Sequence, residues 1–210
     1  MDKLARQKHW DNIYQTKDHS QMSWFENKPQ TSLDFVTFFD LPKTSQIIDI
    51  GGGDTFFVDH LLEMGYLNIT VLDISRKAIQ RAKSRLGDRA KLVNWIVSDI
   101  SDFQPTQHYD FWHDRAAFHF LTDEKEIQAY RQILLKALQP KSIFVVATFS
   151  DQGPQKCSGI EIRQYTESDL EKKFGDGFKP VKSLHVNHYT PFDTVQDFVF
   201  CVFTRQNELT

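Results

Sequence analysis

Three glycines, Gly51, Gly52 and Gly53, follow the apolar run Ile47-Ile48-Asp49-Ile50. Only glycine lets a chain turn this sharply at a strand end and leaves the main chain open to a close ligand. Asp73 lies twenty-two positions after Gly51, at the end of the next apolar run, Ile69-Thr70-Val71-Leu72. A carboxylate placed there accepts both hydroxyls of a ribose. Asp99 ends a third run in Val97-Ser98-Asp99-Ile100, and Asp114 ends a fourth in Phe111-Trp112-His113-Asp114-Arg115. In an open parallel sheet, ligands bind beyond the carboxyl ends of the strands. Four such ends on one edge define a nucleoside-sized cleft.

A dinucleotide site expects G-x-G-x-x-G, and counting from Gly51 the last glycine falls on Phe56. That ring blocks close approach of a pyrophosphate to the helix, and Asp54 repels phosphate. A cationic cofactor without phosphate tolerates both. S-adenosylmethionine is such a cofactor: Asp73 suits its ribose, Asp99 its adenine, and its sulfonium and ammonium favour a cleft rich in carboxylates.

The elements that must position these residues are legible in the periodicity. After Gly53, Phe57, Val58, Leu61 and Leu62 recur at helical spacing up to Gly65. Ser75 is an N-cap for a helix carrying Ala78, Ile79, Ala82 and Leu86, with Gly87 at its end. Leu92 to Val97 and Tyr109 to His113 are strands. Thr122 caps a helix with Ile127, Tyr130, Leu134, Ala137 and Leu138 on one face, stopped by Pro140. Ser142 to Phe149 is a fifth strand. Thr166 and Asp169 form a capping box before Leu170 and Phe174. Leu184 to Tyr189 and Phe198 to Phe203 are joined by a connection too short for a parallel crossover, so they pair antiparallel. Continuous apolar strands between helices are buried on both faces, which makes the sheet mostly parallel. Residues 1–44 form a helical lead-in with Trp10, Ile13 and Tyr14 on one face, then Trp24-Phe25, then a helix carrying Leu33, Val36 and Phe39.

In this order and spacing the motifs resemble those of class I S-adenosylmethionine-dependent methyltransferases over nearly the whole chain. Asp49-Ile50-Gly51-Gly52-Gly53 is similar to the family's D-x-G-x-G, with Thr55 where a third glycine is usual. Leu72-Asp73-Ile74-Ser75, Ser98-Asp99-Ile100 and Tyr109 to Asp114 match the next three motifs, while Pro140-Lys141-Ser142 departs from the usual P-G-G turn. The resemblance implies a seven-stranded Rossmann-like α/β sheet ending in an antiparallel hairpin. It implies a core at 45–210 under a lid at 1–44. It assigns the cofactor to Asp49, Gly51, Gly53, Asp73, Ile74, Ser98, Asp99, Ile100 and His113.

The segment His113 to Leu121 resembles the W-H-D-R-A-x-F-H-F-L stretch of small bacterial methyltransferases and, more distantly, that of methyltransferase-like protein lysine methyltransferases. Their W-x-x-x-Y pattern is matched by Trp10 and Tyr14. With Trp24, these rings form a lid that packs over the cofactor and excludes water. The segment supplies Asp114 and His119 as catalytic candidates and Arg115 as a substrate-binding one. His113 or His119 takes a proton from the acceptor. No N-P-P-[YFW] and no Pro-Cys pair follows the fourth strand, which disfavours adenine, glutamine-amide and cytosine-C5 methylation.

The expected activity is methyl transfer to a small molecule. The alternatives are a protein lysine acceptor, a nicotinamide-dependent oxidoreductase and a non-catalytic nucleotide-binding module. The 25 basic and 28 acidic side chains leave a formal net charge of -3, which argues against nucleic acid and anionic membrane as partners. The basic run Arg76, Lys77, Arg81, Lys83, Arg85, Arg89 and Lys91 reads as a solvated helix face. The polar N-terminus lacks a signal-peptide core, and Cys157 and Cys201 are the only cysteines, so a reducing cytoplasm is expected. His113, Asp114 and His119 match no zinc spacing, and no metal is expected. A monomer or weak homodimer is expected.

Overall fold

The computed structural model describes residues 2–207. Strands β1 Gln46–Ile50, β2 Asn68–Asp73, β3 Val93–Val97, β4 Tyr109–Arg115 and β5 Leu138–Phe149 precede a small hairpin, β6 Lys156–Cys157 and β7 Ile160–Glu161. Strands β8 Phe178–Tyr189 and β9 Val195–Arg205 end the fold. Seven of them form one sheet in the order β3-β2-β1-β4-β5-β9-β8. The first five run parallel, and β9 lies antiparallel between β5 and β8. This is a Rossmann-like α/β sheet with an antiparallel edge, as the alternation of apolar runs and helices requires.

Among the described residues six α-helices accompany the sheet: α1 Lys3–Thr16, α2 Gln30–Phe38, α3 Phe57–Glu63, α4 Arg76–Leu86, α5 Glu124–Ala137 and α6 Glu167–Phe174. Ile48, Ile50, Trp112, Phe144 and Val146 point to the face covered by α5 and α6. Ile47, Val71, Phe111 and Val145 point to the face covered by α2 and α3. Alternation along each strand therefore feeds two cores. Twelve of the largest side chains, including Trp112, Tyr130, Phe144 and Phe203, are fully buried in them. Among the described residues no helix is long and apolar enough to cross a membrane.

Local chemistry fixes most boundaries. Ser75 Oγ accepts from the Ala78 amide at the start of α4, and Thr166 and Asp169 close the capping box of α6. Gly65 and Gly87 take positive φ where α3 and α4 end. Four expectations change. Asp123, not Thr122, caps α5, because its carboxylate reaches the Lys125 amide. Leu138 leaves α5 and opens β5 opposite Tyr109, ahead of Pro140 and a positive-φ Lys141. Both terminal strands are longer than their apolar runs. β8 is an edge strand with a half-exposed, polar face, so its sequence lacks the buried-strand signature, and it carries Pro180 at a register shift. The β6–β7 hairpin, two residues a side, leaves no periodicity to read.

Candidate functional site

The carboxyl ends of β1, β2, β3 and β4 open into one cavity, roofed by α1 and residues 22–29. Asp49, Gly51, Asp73, Ile74, Ser98, Asp99, Ile100, His113 and Arg115 line it, and so do Trp10, Tyr14 and Trp24. Gly53, Asp114 and His119 do not.

The glycine turn is built for close approach. Gly51 has φ +68°, its amide donates to Leu72 O at 2.7 Å, and a Cβ there would come within 2.9 Å of Ala117 Cβ. A Cβ on Gly52 would overlap the Asp49 carboxylate, and one on Gly53 the Asp73 carboxylate. Side chains at 52 or 53 would thus displace the two acids that face the cavity. Gly53 acts from behind the wall.

Asp73 ends β2, 5% exposed. Its Oδ1 accepts from the Ser75 amide at 2.7 Å. Burial, reinforced by the charges of Asp49 and Asp11, pushes its carboxyl up to about 7. Asp49 presents Oδ1 to His113 Nδ1 at 2.7 Å, while its Oδ2 is buried without a hydrogen-bond partner. Asp99 is held by Ser101 through Oδ1 and by Arg6 through Oδ2 at 2.9 Å. Oδ2 keeps a free lone pair.

Helix α1 is pinned across these strand ends. Arg6 joins Asp99 to Glu126, Gln7 Nε2 donates to Ile74 O, and Asp11 Oδ1 accepts from Ser75 Oγ and the Lys77 amide. The far end of α1 is tied to the glycine turn through Asp54. This buried carboxylate pairs with His19, Arg81 and Arg85, and Arg81 Nη1 donates to the carbonyls of Tyr14 and Lys17. Arg81 and Arg85 are therefore not members of a solvated face. The basic run supplies the cations that neutralise Asp54 and Asp59.

Trp24 stands edge to face with Trp10 and Tyr14 at 5.7 and 6.2 Å between centroids, Trp10 and Tyr14 are tilted against each other at 6.3 Å, and Trp10 meets Phe120 edge to face at 5.1 Å. Burial and the charges of Asp73 and Asp54 hold Tyr14 well above the usual phenol range, so it stays neutral. On the opposite wall Arg115 donates to Trp24 O and pairs with Glu26 at 3.1 Å, and His188 Nδ1 lies 2.9 Å from Glu26. Burial would raise Glu26, but the hydrogen bond to His188 and the charge of Arg115 outweigh it and hold the carboxyl below its usual range.

Two expected catalytic side chains lie behind the wall rather than on it. Asp114 is fully buried and accepts from the amides of Ala117 and Phe118 and from Tyr130 Oη. Burial pushes it up to about 6. His119 is also fully buried; its Nδ1 accepts from the Phe149 amide, and burial pushes it down to about 3. Asp114 organises the loop that follows Arg115, through the amides of Ala117 and Phe118.

Arg6, Asp11, Glu26, Ser32, Asp54 and Arg81 carry no local motif, and only the tertiary structure brings them here. Among the described residues no group of three or more His, Cys, Asp or Glu is placed to hold a metal ion.

The cavity fits a phosphate-free cationic nucleoside. Among the described residues Asp49 and Asp73 form no salt bridge to lysine or arginine and one oxygen of Asp49 is orphaned, and the glycine cradle has no room for a Cβ.

Residues 47–141 match the family model described as a methyltransferase domain. The chain is 28% identical over 147 residues to malonyl-[acyl-carrier protein] O-methyltransferase 2 of Ilyobacter polytropus, covering 69% of this chain. It spans about half of that relative's length, 53%. It is 22% identical to the human EEF1A lysine methyltransferase 2 over 86% of this chain and 77% of that one. The N-methyltransferase NodS of Bradyrhizobium japonicum, solved with S-adenosyl-L-homocysteine, superposes with a TM-score of 0.70 at 18% identity, covering 94% of this chain and all of that one. Fold, strand-end motifs and the matched domain converge: residues 47–141 match a methyltransferase domain, and the Rossmann-like sheet that carries them is similar to those of S-adenosylmethionine-dependent methyltransferases.

Proposed function

We propose that the chain transfers a methyl group from S-adenosylmethionine to a small-molecule nucleophile seated between the glycine turn and the Arg115–Glu26 wall. The observation that carries this reading is Asp73: a buried carboxylate without a lysine or arginine partner, at the end of β2, beside the positive-φ turn at Gly51.

Asp73 would hold the ribose hydroxyls and Asp49 Oδ2 a cationic end of the cofactor. Ile74, Ser98, Asp99 and Ile100 would flank the base. When bound, the cofactor supplies a methyl group on a sulfonium that is already an activated leaving group. The protein's own part is alignment and exclusion of water, worth roughly 7–11 kcal/mol when reacting atoms are held in line. Trp10, Tyr14 and Trp24 form the water-excluding roof, and Asp54 with Arg81 keeps it closed. Arg115 and Glu26, with Phe120 and Cys157 nearby, shape the acceptor end. Burial pushes the Cys157 thiol up to about 11, which keeps it from acting as a thiolate nucleophile.

The roof formed by α1 and residues 22–29 favours a small acceptor. Similarity to a protein lysine methyltransferase over 86% of this chain supports a second reading, a lysine side chain entering the same cavity. Asp49 and Asp73, which have no lysine or arginine partner among the described residues, and Phe56 under the Arg85 guanidinium at 4.2 Å disfavour a dinucleotide.

Transfer of labelled methyl from S-adenosylmethionine into size-fractionated lysate tests the proposal. Label in the low-mass fraction supports the small acceptor, label in protein supports the lysine reading, and label in neither contradicts methyl transfer.

A further inference from the structure

Ser32, His113 and Asp49 come from three elements, α2, β4 and β1, and meet at the cavity wall. His113 Nδ1 lies 2.7 Å from Asp49 Oδ1, and His113 Nε2 lies 2.8 Å from Ser32 Oγ. All three side chains are buried, Ser32 at 1% exposure, yet all three line the cavity. The parallel register sets Asp49 directly opposite His113, and the ring packs against Phe57 at 4.4 Å. An ionised carboxylate only accepts hydrogen bonds, so Nδ1 carries the proton. Nε2 then offers a lone pair, and the Ser32 hydroxyl donates to it. The lone pairs of Ser32 Oγ remain for whatever the cavity holds. This is the arrangement by which a histidine held by a carboxylate draws the proton from a serine.

We infer that Ser32, His113 and Asp49 form a proton relay opening onto the cavity at the Ser32 hydroxyl, which fits the site to acceptors whose nucleophilic atom carries a proton: an amine, a hydroxyl or a thiol. The inference rests on the methyl-transfer reading for its acceptor, and on the geometry alone for the relay. In the step, the acceptor's proton passes to Ser32 Oγ as the serine's own proton passes to His113 Nε2. The freed electron pair bonds the methyl carbon, and the pair of the breaking carbon–sulfur bond stays on sulfur. Asp49 faces the imidazolium, which returns its proton through Ser32 when the cavity opens. A carboxylate acceptor needs no proton removed, so it has no use for the relay. His119 does not line the cavity and has no comparable chain to it.

A hydrogen-bonded chain that merely anchors α2 to the sheet would not activate the serine position. Ser32→Cys in the full chain separates the two. Its thiol, set against Nε2, is expected to exist as a thiolate near neutrality. Alkylation by iodoacetamide, mapped by mass spectrometry, should be about as fast at pH 6.5 as at pH 9, whereas an unassisted thiol gains rate up to its pKa of ~8.5. A rate that climbs about tenfold per pH unit from pH 6.5 towards ~8.5 and then levels off overturns the relay. Adding His113→Asn should restore that climb, and circular dichroism confirms that each variant is folded. The acceptor class is read separately from the lysate label. Label stable to alkali supports it, and label released by alkali as methanol marks a carboxylate and overturns it. S-adenosylhomocysteine binding by the parent chain tests the cofactor reading, so its failure is distinct from that of the relay.

Discussion

Tyr130 Oη donates to Asp114 Oδ2 at 2.8 Å and itself accepts from Trp112 Nε1 at 3.0 Å. Both partners lie on the α5 side of the sheet, away from the face that carries His113. Tyr130→Phe leaves a buried carboxylate oxygen and an indole N–H with one partner fewer each. A loss of about 1–3 kcal/mol is expected in denaturant unfolding. Affinity for S-adenosylhomocysteine should stay within about threefold, a change of well under 1.4 kcal/mol. A large loss of affinity with intact stability would put Asp114 in direct contact with the ligand.

Asp73 makes binding and stability depend on pH. Its folded value of about 7 lies above its ordinary 3.8, because burial and the charge of Asp49 disfavour the anion. The ligand-free fold then binds more protons than the unfolded chain between these values. Its contribution to stability is fully present below about 4 and lost as pH rises through about 7. Asp114, raised to about 6, acts in the same direction over a narrower window. Asp73→Asn should therefore flatten the decline of ligand-free stability between pH 4 and 7, measured by thermal unfolding. Ligand affinity runs the other way: it should weaken as pH falls through about 7, since the anion accepts the ribose hydroxyls. An affinity independent of pH in the parent would contradict this role.

The Arg81–Asp54 pair, 2.7 Å between Nε and Oδ2, is the fastening of the roof. Arg81→Ala frees the carbonyls of Tyr14 and Lys17 and one side of Asp54. Limited proteolysis should then cut within residues 17–28 faster than in the parent, and affinity should fall about tenfold, or 1.4 kcal/mol. Cutting at the parent rate would show that α1 is held without this pair.

Gly51→Ala asks a side chain to adopt φ +68° within 2.9 Å of Ala117 Cβ. A cost of about 1–3 kcal/mol in stability is expected from such backbone strain. Binding should be lost with it, because the turn must shift at the cavity wall. Gly65→Ala shares the positive φ but meets nothing within 4 Å. It should lose stability and keep binding.

Much of this site was legible because the family of folds writes it in short stretches. Asp49, the three glycines, Asp73 and Asp99 each sit at a strand end that periodicity alone locates. Asp114 was misplaced for a reason that periodicity also contains. Successive strand residues face opposite sides, so if His113 and Arg115 face the cleft, Asp114 cannot. His119 follows in a tight turn, Phe118–Phe120, whose facing no repeat pattern sets. Ser32, Glu26, Asp54 and Arg81 were illegible as a set. Ser32 reaches His113 across 81 positions and Glu26 reaches His188 across 162. Pairings of that separation depend on how helices pack, which no local spacing encodes. The basic run of α4 misled in the same way: its composition matches a solvated face, while its geometry points two arginines at buried carboxylates.

Calorimetry with S-adenosylhomocysteine on the parent chain and on Asp73→Ala tests the central claim, that this cavity is a phosphate-free nucleoside site held by Asp73. Micromolar binding, about -8 kcal/mol, is predicted for the parent and a loss of at least about tenfold for the variant. Equal binding by both, or binding of NADH by a parent indifferent to S-adenosylhomocysteine, would contradict it.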